Sequence, residues 1–279
     1  MDIINEKYEK HDEKNKDRIQ SLIQKTEAAY LFCDIERTAG ALDSEILQIA
    51  IVCPGRKAFN CFIKPRGGID QGASKYSHKM TLDRIGNVCD AMGRTVQTVS
   101  TSECIQDMFS YIREIRSFTE TELTMVVYGD SDVPNLSNTL DSLGKFEEFK
   151  NLVPFYCDFQ QVLFKDEDLK KKTNGKTGLA DTSHNSILKV VTGRLVDLHQ
   201  AHDAMYDCKK LEDLFFKYLK SGYYCETMSS FRSNAVKTFC DGEEDIRRVL
   251  VRMRKKRINK PNPFNIFYPL GFSSTSSSF

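Results

Sequence analysis

No apolar run in this chain approaches the ~20 residues needed to cross a bilayer, so no membrane-spanning segment is expected. The opening stretch MDIINEKYEKHDEKNKDR is too charged for a secretory signal. The nine cysteines fall into no C-x-x-C pair and no Cys/His spacing that would hold zinc. Reduced thiols are therefore expected, in a cytoplasmic or nuclear protein, and not a disulfide framework. Net charge is missing too: 40 Lys and Arg against 39 Asp and Glu leave +1, which selects no partner by itself.

The charge is unevenly spread. Residues 223–279 hold ten basic against five acidic residues, so that stretch is about +5 and the remainder about −4. A content of 40% hydrophobic and 28% charged residues is that of an ordinary globular protein. A chain of 279 residues has room for one sizeable core with appendages, or for two small domains.

Three divisions are expected along the chain. Residues 1–27 are a polar extension with weak helical patterning. Residues 28–222 carry the folded domain. Residues 223–279 form a basic extension, poorly ordered or docked on the core, that includes the cluster RRVLVRMRKKR at 247–257.

Within the folded part, AAYLFCDI, EILQIAIVCP and KAFNCFIKP are strand-length apolar runs joined by short links, which predicts an antiparallel meander. The stretch GGIDQGASKYSHKMTLDRIG reads as loop and short helix. TSECIQDMFSYIREIRSF has a helical stripe, LTMVVYG reads as a buried strand, and VPNLSNTLDSLGKFEEF as a helix with Pro134 in its first turn. LVPFYCDF is a further strand, NSILKVVTGRL a short helix, and DAMYDCKKLEDLFFKYLKSG a long one. This alternation predicts an α/β fold: a mixed sheet of a three-strand meander plus parallel strands, flanked by helices.

Carboxylates stand where such elements would prefer apolar residues. Asp34 and Glu36 lie two apart on the first strand, so both point to one face. Two anions held side by side are unfavourable unless exposed at a strand tip or neutralised by a cation. On the last helix, Ala204, Cys208, Leu211, Phe215 and Tyr218 form an apolar stripe that brings Asp207 onto or beside the core face. A surface acid on the helix flank is the plainer alternative. His202 falls just before that helix, with Asp203 placed to cap it, and is either a solvated loop residue or turned toward Asp207. Asp130 and Asp132 follow the strand LTMVVYG, and Asp132 fits a helix cap well. If the four carboxylates converge, a set of hard oxygen donors without cysteine suits Mg²⁺ or Mn²⁺ rather than Zn²⁺.

These motifs resemble those of the DEDD superfamily of 3′→5′ exonucleases, in the histidine-carrying branch. FCDIERTAG is similar to a first motif of the form F-D-x-E-T-T-G, and EILQIAIV to the strand that follows it. SHKMT is similar to the family's H-G-I-T loop. YGDSDVPNL resembles H-N-x-x-F-D-x-x-x-L, which aligns Asp132 rather than Asp130 with the second-motif acid. HDAMYD matches H-x-A-x-x-D in full. The departures are Arg37 and Ala39 in the first motif, and Tyr128, Gly129 and Ser131 in the second.

The resemblance covers about residues 28–220 and implies a ribonuclease H-like sheet. It implies that Asp34, Glu36, Asp132 and Asp207 hold two Mg²⁺ or Mn²⁺ ions and that His202 is the general base. Ile35, Arg37 and Thr38 would border the 3′-terminal nucleotide of a single-stranded or overhanging DNA or RNA, and a 5′-mononucleotide would leave. The alternative is an exonuclease-fold protein without catalysis, serving as an RNA-binding or protein-interaction scaffold. The basic cluster at 247–257 is a phosphate-binding arm, a nuclear localisation signal or a solvated helix face. Oligomeric state is not legible.

Overall fold

The computed structural model describes residues 30–39, 44–69, 80–90, 92–119, 122–129, 131–173, 183–194, 202–220 and 237–238. The expected extension at 1–27, Asp130 and the basic cluster at 247–257 lie outside the described residues.

The meander forms as β1 (Tyr30–Arg37), β2 (Ile46–Val52) and β3 (Phe59–Ile63), each antiparallel to the next. A small hairpin follows, β4 (Thr81–Leu82) with β5 (Val88–Cys89), and then β6 (Thr98–Val99), which runs parallel to β3. Helix α1 (Thr101–Phe118) begins at a capping box in which Ser100 and Glu103 each bond the other's backbone N–H. The chain then re-enters the sheet as β7 (Thr124–Val127), parallel to β1. Helices α2 (Asp132–Ser142) and α3 (Phe146–Leu152) lead to β8 (Phe155–Asp158), parallel to β7. Four helices complete the domain: α4 (Phe159–Leu163), α5 (Glu167–Thr173), α6 (His184–Thr192) and α7 (Ala204–Lys220). In the C-terminal stretch, β9 (Lys237–Thr238) adds antiparallel to β8. The sheet order is β6-β3-β2-β1-β7-β8-β9, a mixed sheet flanked by helices as expected.

Two details differ from the expectation. The helix over VPNLSNTLDSLGKFEEF is broken in two, because Gly144 takes a left-handed conformation (φ +64°) that reverses the chain between α2 and α3. Of GGIDQGASKYSHKMTLDRIG, residues 67–69 and 80–86 are described, and the latter enter the hairpin; residues 70–79 lie outside the described residues. Asp83 stabilises that turn by accepting the N–H groups of Ile85 and Asn87 on Oδ1. No described helix is long and apolar enough to cross a membrane.

Strand alternation divides β1 between two cores. Leu31, Cys33 and Ile35 face one side with Ile105, Met108, Ile112, Leu136 and Phe149. Tyr30 and Phe32 face the other, under Cys208, Leu211, Phe215 and Tyr218 of α7. Phe215 is the hub of this second layer, with ring centroids of Tyr30, Phe32 and Phe159 at 5.1, 5.3 and 5.1 Å. Phe215→Ala is therefore expected to destabilise the domain by about 3–5 kcal/mol. Urea unfolding would read this as a lower midpoint, and an unchanged midpoint would contradict the hub.

Candidate active site

The site grows from the register of three strands. β1 pairs with β7 only from Tyr30↔Thr124 to Phe32↔Val126, so its last five residues overrun their parallel partner. Asp34 and Glu36 follow Tyr30 and Phe32 on the same face and stand in the notch that the overrun leaves. On the other side, β2 places Ala50 opposite Asp34 and Gln48 opposite Glu36. Helix α7 is fastened to those same two positions. The Ala204 N–H donates to Gln48 Oε1 (3.1 Å), and Cys208 Sγ donates to the Ala50 carbonyl (3.2 Å). Asp207, between the two anchors, is thereby held over the acid pair. The notch lies at the carboxyl ends of the parallel strands, where open α/β sheets bind ligands.

Asp132 joins from the turn after β7. It is the first residue of α2 and accepts the Ser131 hydroxyl on Oδ1 (3.2 Å). Ser131, not Asp132, takes the cap position, and it makes no side-chain capping bond. The capping role that position alone suggests for Asp132 is thus corrected; its side chain is buried, 6% exposed.

His202 has φ +68°, rare for a residue with a side chain. That turn points its N–H at Asp207 Oδ2 (3.0 Å), while Asp203 Oδ1 caps α7 by accepting the Tyr206 N–H (3.0 Å). Ligand atoms of Glu36, His202 and Asp207 lie within 4.8 Å of one another. The other oxygen of Asp207 accepts the Lys210 ammonium at 2.5 Å, and Lys210 also donates to Asn185 Oδ1 at 3.2 Å.

Burial and mutual repulsion set the electrostatics. Burial holds Asp34 well above the ordinary carboxylate range, helped by the charges of Asp132 and Asp207 and opposed by Lys210. Glu36 is raised well above its usual value by burial and by Asp34, Asp207 and Asp132. Burial pushes Asp132 up to about 7 against the pull of Arg37 and the Ser131 hydroxyl, with Asp158 and Asp207 adding to the rise. Beside the cluster, the His184 ring stacks on Tyr128 with centroids 4.4 Å apart. Burial and the Lys210 charge hold that imidazole down at about 3.

Of the residues expected to border a nucleotide, Thr38 is buried and bound to Glu45: its Oγ1 accepts the Glu45 N–H at 3.0 Å, and its own N–H reaches the Glu45 carbonyl at 2.8 Å. Arg37 follows a bulge in β1, half-buried, with its charge felt at Asp132. The Ile35 side chain belongs to the core with Leu31 and Cys33, because an odd residue of β1 points away from Asp34. Lys210 and Asn185 were not singled out from the sequence. Lys210 had a visible signal, since three residues after Asp207 is the same helix face; Asn185 had none.

No protein-family model matches this sequence, and no curated protein matches it either. Among solved structures, the chain is similar to a 3′-exonuclease described in 3′-end-specific recognition of a histone mRNA stem-loop. The identity is 12% and the TM-score 0.51, over 69% of this chain and 82% of that one. A full-length 3′-exonuclease superposes at 12% identity and TM-score 0.49, over 69% of this chain and 60% of that one. The likeness is one of fold. The mixed sheet and flanking helices of this chain are those of an exonuclease-like α/β domain.

The raised acids make stability fall with pH. A carboxyl group whose affinity for protons is higher folded than unfolded adds stability below its unfolded pKa, and that stability is lost as pH rises through the folded value. With divalent ions removed by EDTA, the melting temperature is expected to drop between about pH 5 and 8, and Asp132→Asn should flatten the fall near pH 7. Mn²⁺ should restore more stability at the alkaline end than at the acid end. A profile that rises with pH in EDTA would contradict the raised cluster.

Proposed function

We propose that this protein is a metal-dependent 3′→5′ exonuclease of the histidine-carrying DEDD type, with a ribonuclease H-like catalytic domain at residues 28–222. The observation that carries the reading is that Glu36, His202 and Asp207 offer ligand atoms within 4.8 Å of one another, in a notch where burial and neighbouring acids raise the proton affinity of Asp34, Glu36 and Asp132. Uncompensated, such a cluster opposes folding, so its retention calls for cations. The donors fit Mg²⁺ or Mn²⁺: hard carboxylate oxygens, one imidazole and no cysteine ligand. Asp34, Glu36, Asp132 and Asp207 would hold two such ions, with His202 beside Glu36 and Asp207. Bound divalent cations supply charge for the pentavalent phosphate and acidify water.

The chain's own residues divide the remaining work. His202, the exposed member of the cluster, takes the proton of the attacking water at its imidazole. Asp207 fixes the turn that presents the ring by accepting the His202 N–H. As the water oxygen bonds to phosphorus, the P–O3′ bond to the penultimate nucleotide breaks, and the departing 3′-oxygen takes a proton from solvent. A 5′-mononucleotide leaves, and the shortened strand keeps a 3′-hydroxyl. Arg37 has its Nη1 buried without a hydrogen-bond partner among the described residues, a donor suited to a phosphate oxygen near the 3′ end. Because the 3′-exonuclease of similar fold was described with a histone mRNA stem-loop, RNA is the first substrate to test.

Single-stranded RNA and DNA of one sequence, labelled at either end and incubated with Mn²⁺, Mg²⁺ or EDTA, test the reading. Shortening from the 3′ end is expected only with metal, and Asp34→Ala and Asp207→Ala should each abolish mononucleotide release. His202→Ala should slow it by about 10²–10⁴-fold. Intact substrate in every lane, with nucleic-acid affinity equal in Mg²⁺ and EDTA, would replace the exonuclease with a binding scaffold of the same fold.

A further inference from the structure

A second surface with nucleotide-binding chemistry lies at the other end of the sheet from the notch. The turn between β2 and β3 and the last turns of α1 enclose a cleft of about 630 Å³. Its walls include Arg56, Lys57 and Phe59 on one side, and Tyr111, Glu114 and Phe118 on the other. Phe118 is 52% exposed, and the Arg56 guanidinium lies over its ring, 4.1 Å from the centroid. Phe59 and Tyr111 form a second aromatic pair with centroids 5.7 Å apart. Neither Arg56 nor Lys57 enters an ion pair with the described residues, so two cations face one acid, Glu114. An open ring beneath a guanidinium is a flat platform, and unpaired bases stack on aromatic and guanidinium planes alike. Lys57 beside it supplies charge for a phosphate. Helix α1 covers the face of β1 that carries Leu31, Cys33 and Ile35, so the cleft also lies on the face away from Asp34 and Glu36.

We propose that this cleft holds an unpaired nucleotide of the strand whose 3′ end lies in the notch, its base on the Arg56–Phe118 platform and its phosphate at Lys57. The inference rests on the nuclease reading above for its choice of ligand and adds a binding site remote from the acids. Gln48, opposite Glu36, and Gly55 at the cleft are about 23 Å apart along β2 and its turn, at the rise of a strand. At about 3.4 Å per stacked nucleotide, roughly seven nucleotides cover that distance, and the passage round the β3 edge adds a few more. The cleft is therefore reached only by strands longer than about ten nucleotides. Charge favours a strand over a second copy of this chain: two-fold docking would offer one Glu114 for two cations in each copy, whereas every nucleotide brings its own phosphate.

Fluorescence anisotropy of a labelled single-stranded RNA 20-mer with the full chain tests this, in EDTA so that no strand is cut. Phe118→Ala and Arg56→Ala should each weaken binding by about tenfold, the loss of one stacked base. Phe118→Tyr keeps the ring and should bind as the unaltered chain does. Lys57→Ala should lower the salt slope by about one. With Mn²⁺, Phe118→Ala should raise KM for the 20-mer at unchanged kcat, and leave cleavage of a 4-mer, too short to reach the cleft, as it was. Circular dichroism checks that each variant is folded. Equal 20-mer affinity in folded Phe118→Ala and Arg56→Ala would overturn the inference and leave the exonuclease standing. So would adenosine 5′-monophosphate bound through Phe118 with 20-mer binding unaffected, which would make the occupant a free nucleotide. A dimer in sedimentation that Phe118→Ala dissociates, with RNA affinity unchanged, would give the cleft to a second copy instead. Phe118-dependent binding by a chain that cuts neither substrate would overturn the exonuclease and keep the cleft.

Discussion

Repulsion among four carboxylates at the end of β1 is the constraint around which the rest of the domain is arranged. Like charges brought into a partly dry notch drive each other toward protonation and push the elements that carry them apart. The domain resists by committing those elements elsewhere. β1 lies in mid-sheet, bonded to β2 along nearly its whole length, with apolar layers on both faces. Helix α7 is held from below by Phe215 and Tyr218 and is stitched at its start to Gln48 and Ala50. Neither element can retreat without breaking a core, so the charge has to be met in place, by protons or by cations.

The same strand serves both demands through its period of two. Its first four residues put an aromatic pair on the α7 face and an apolar pair on the other. Its later residues keep that alternation but exchange Tyr30 and Phe32 for Asp34 and Glu36. The exchange is tolerable only where β7 has already ended, because a full parallel partner would bury the acids completely. The stop in β1–β7 pairing after Phe32 thus turns an ordinary core strand into a ligand-bearing tip.

Much of this was legible in the amino-acid order, where a residue's role depends on local periodicity. The meander followed from apolar runs with short links, α7 from its four-three stripe, and the cap of α7 from Asp203 alone. The opposed acids Asp34 and Glu36 stood out because strand alternation exposes any exception to it. What failed to show depends on backbone reversal or on distant partners. Gly144 reads as a tolerable helix residue until its left-handed φ is seen. Asp132 fits a cap by position alone, and only the resemblance to the second motif sets it among the acids. Ile35 shares a motif with Asp34 but not a face. Lys210 meets Asn185 across a gap of 25 residues, which no spacing rule links.

The departures in the second motif acquire a physical sense in this setting. Tyr128 stands where the similar motif has histidine, and its ring stacks on His184 at the start of α6. Gly129 stands in place of asparagine; its φ of +106° is open to glycine, and its N–H donates to Asp158 Oδ1 at 2.9 Å. Asp158 also accepts the Gln160 N–H at 3.1 Å, so one carboxylate ties the end of β7 to the start of α4. The turn that delivers Asp132 is therefore fastened by a stacked ring pair and a shared carboxylate. Those substitutions rebuild the wall behind the site without removing any of the four acids. A chain under no demand to hold metal would lower its folding cost by losing one acid, and the simplest single change would be at Asp207, already paired with Lys210. Asp207 and Lys210 instead stand together, while the other oxygen of Asp207 fixes the His202 turn.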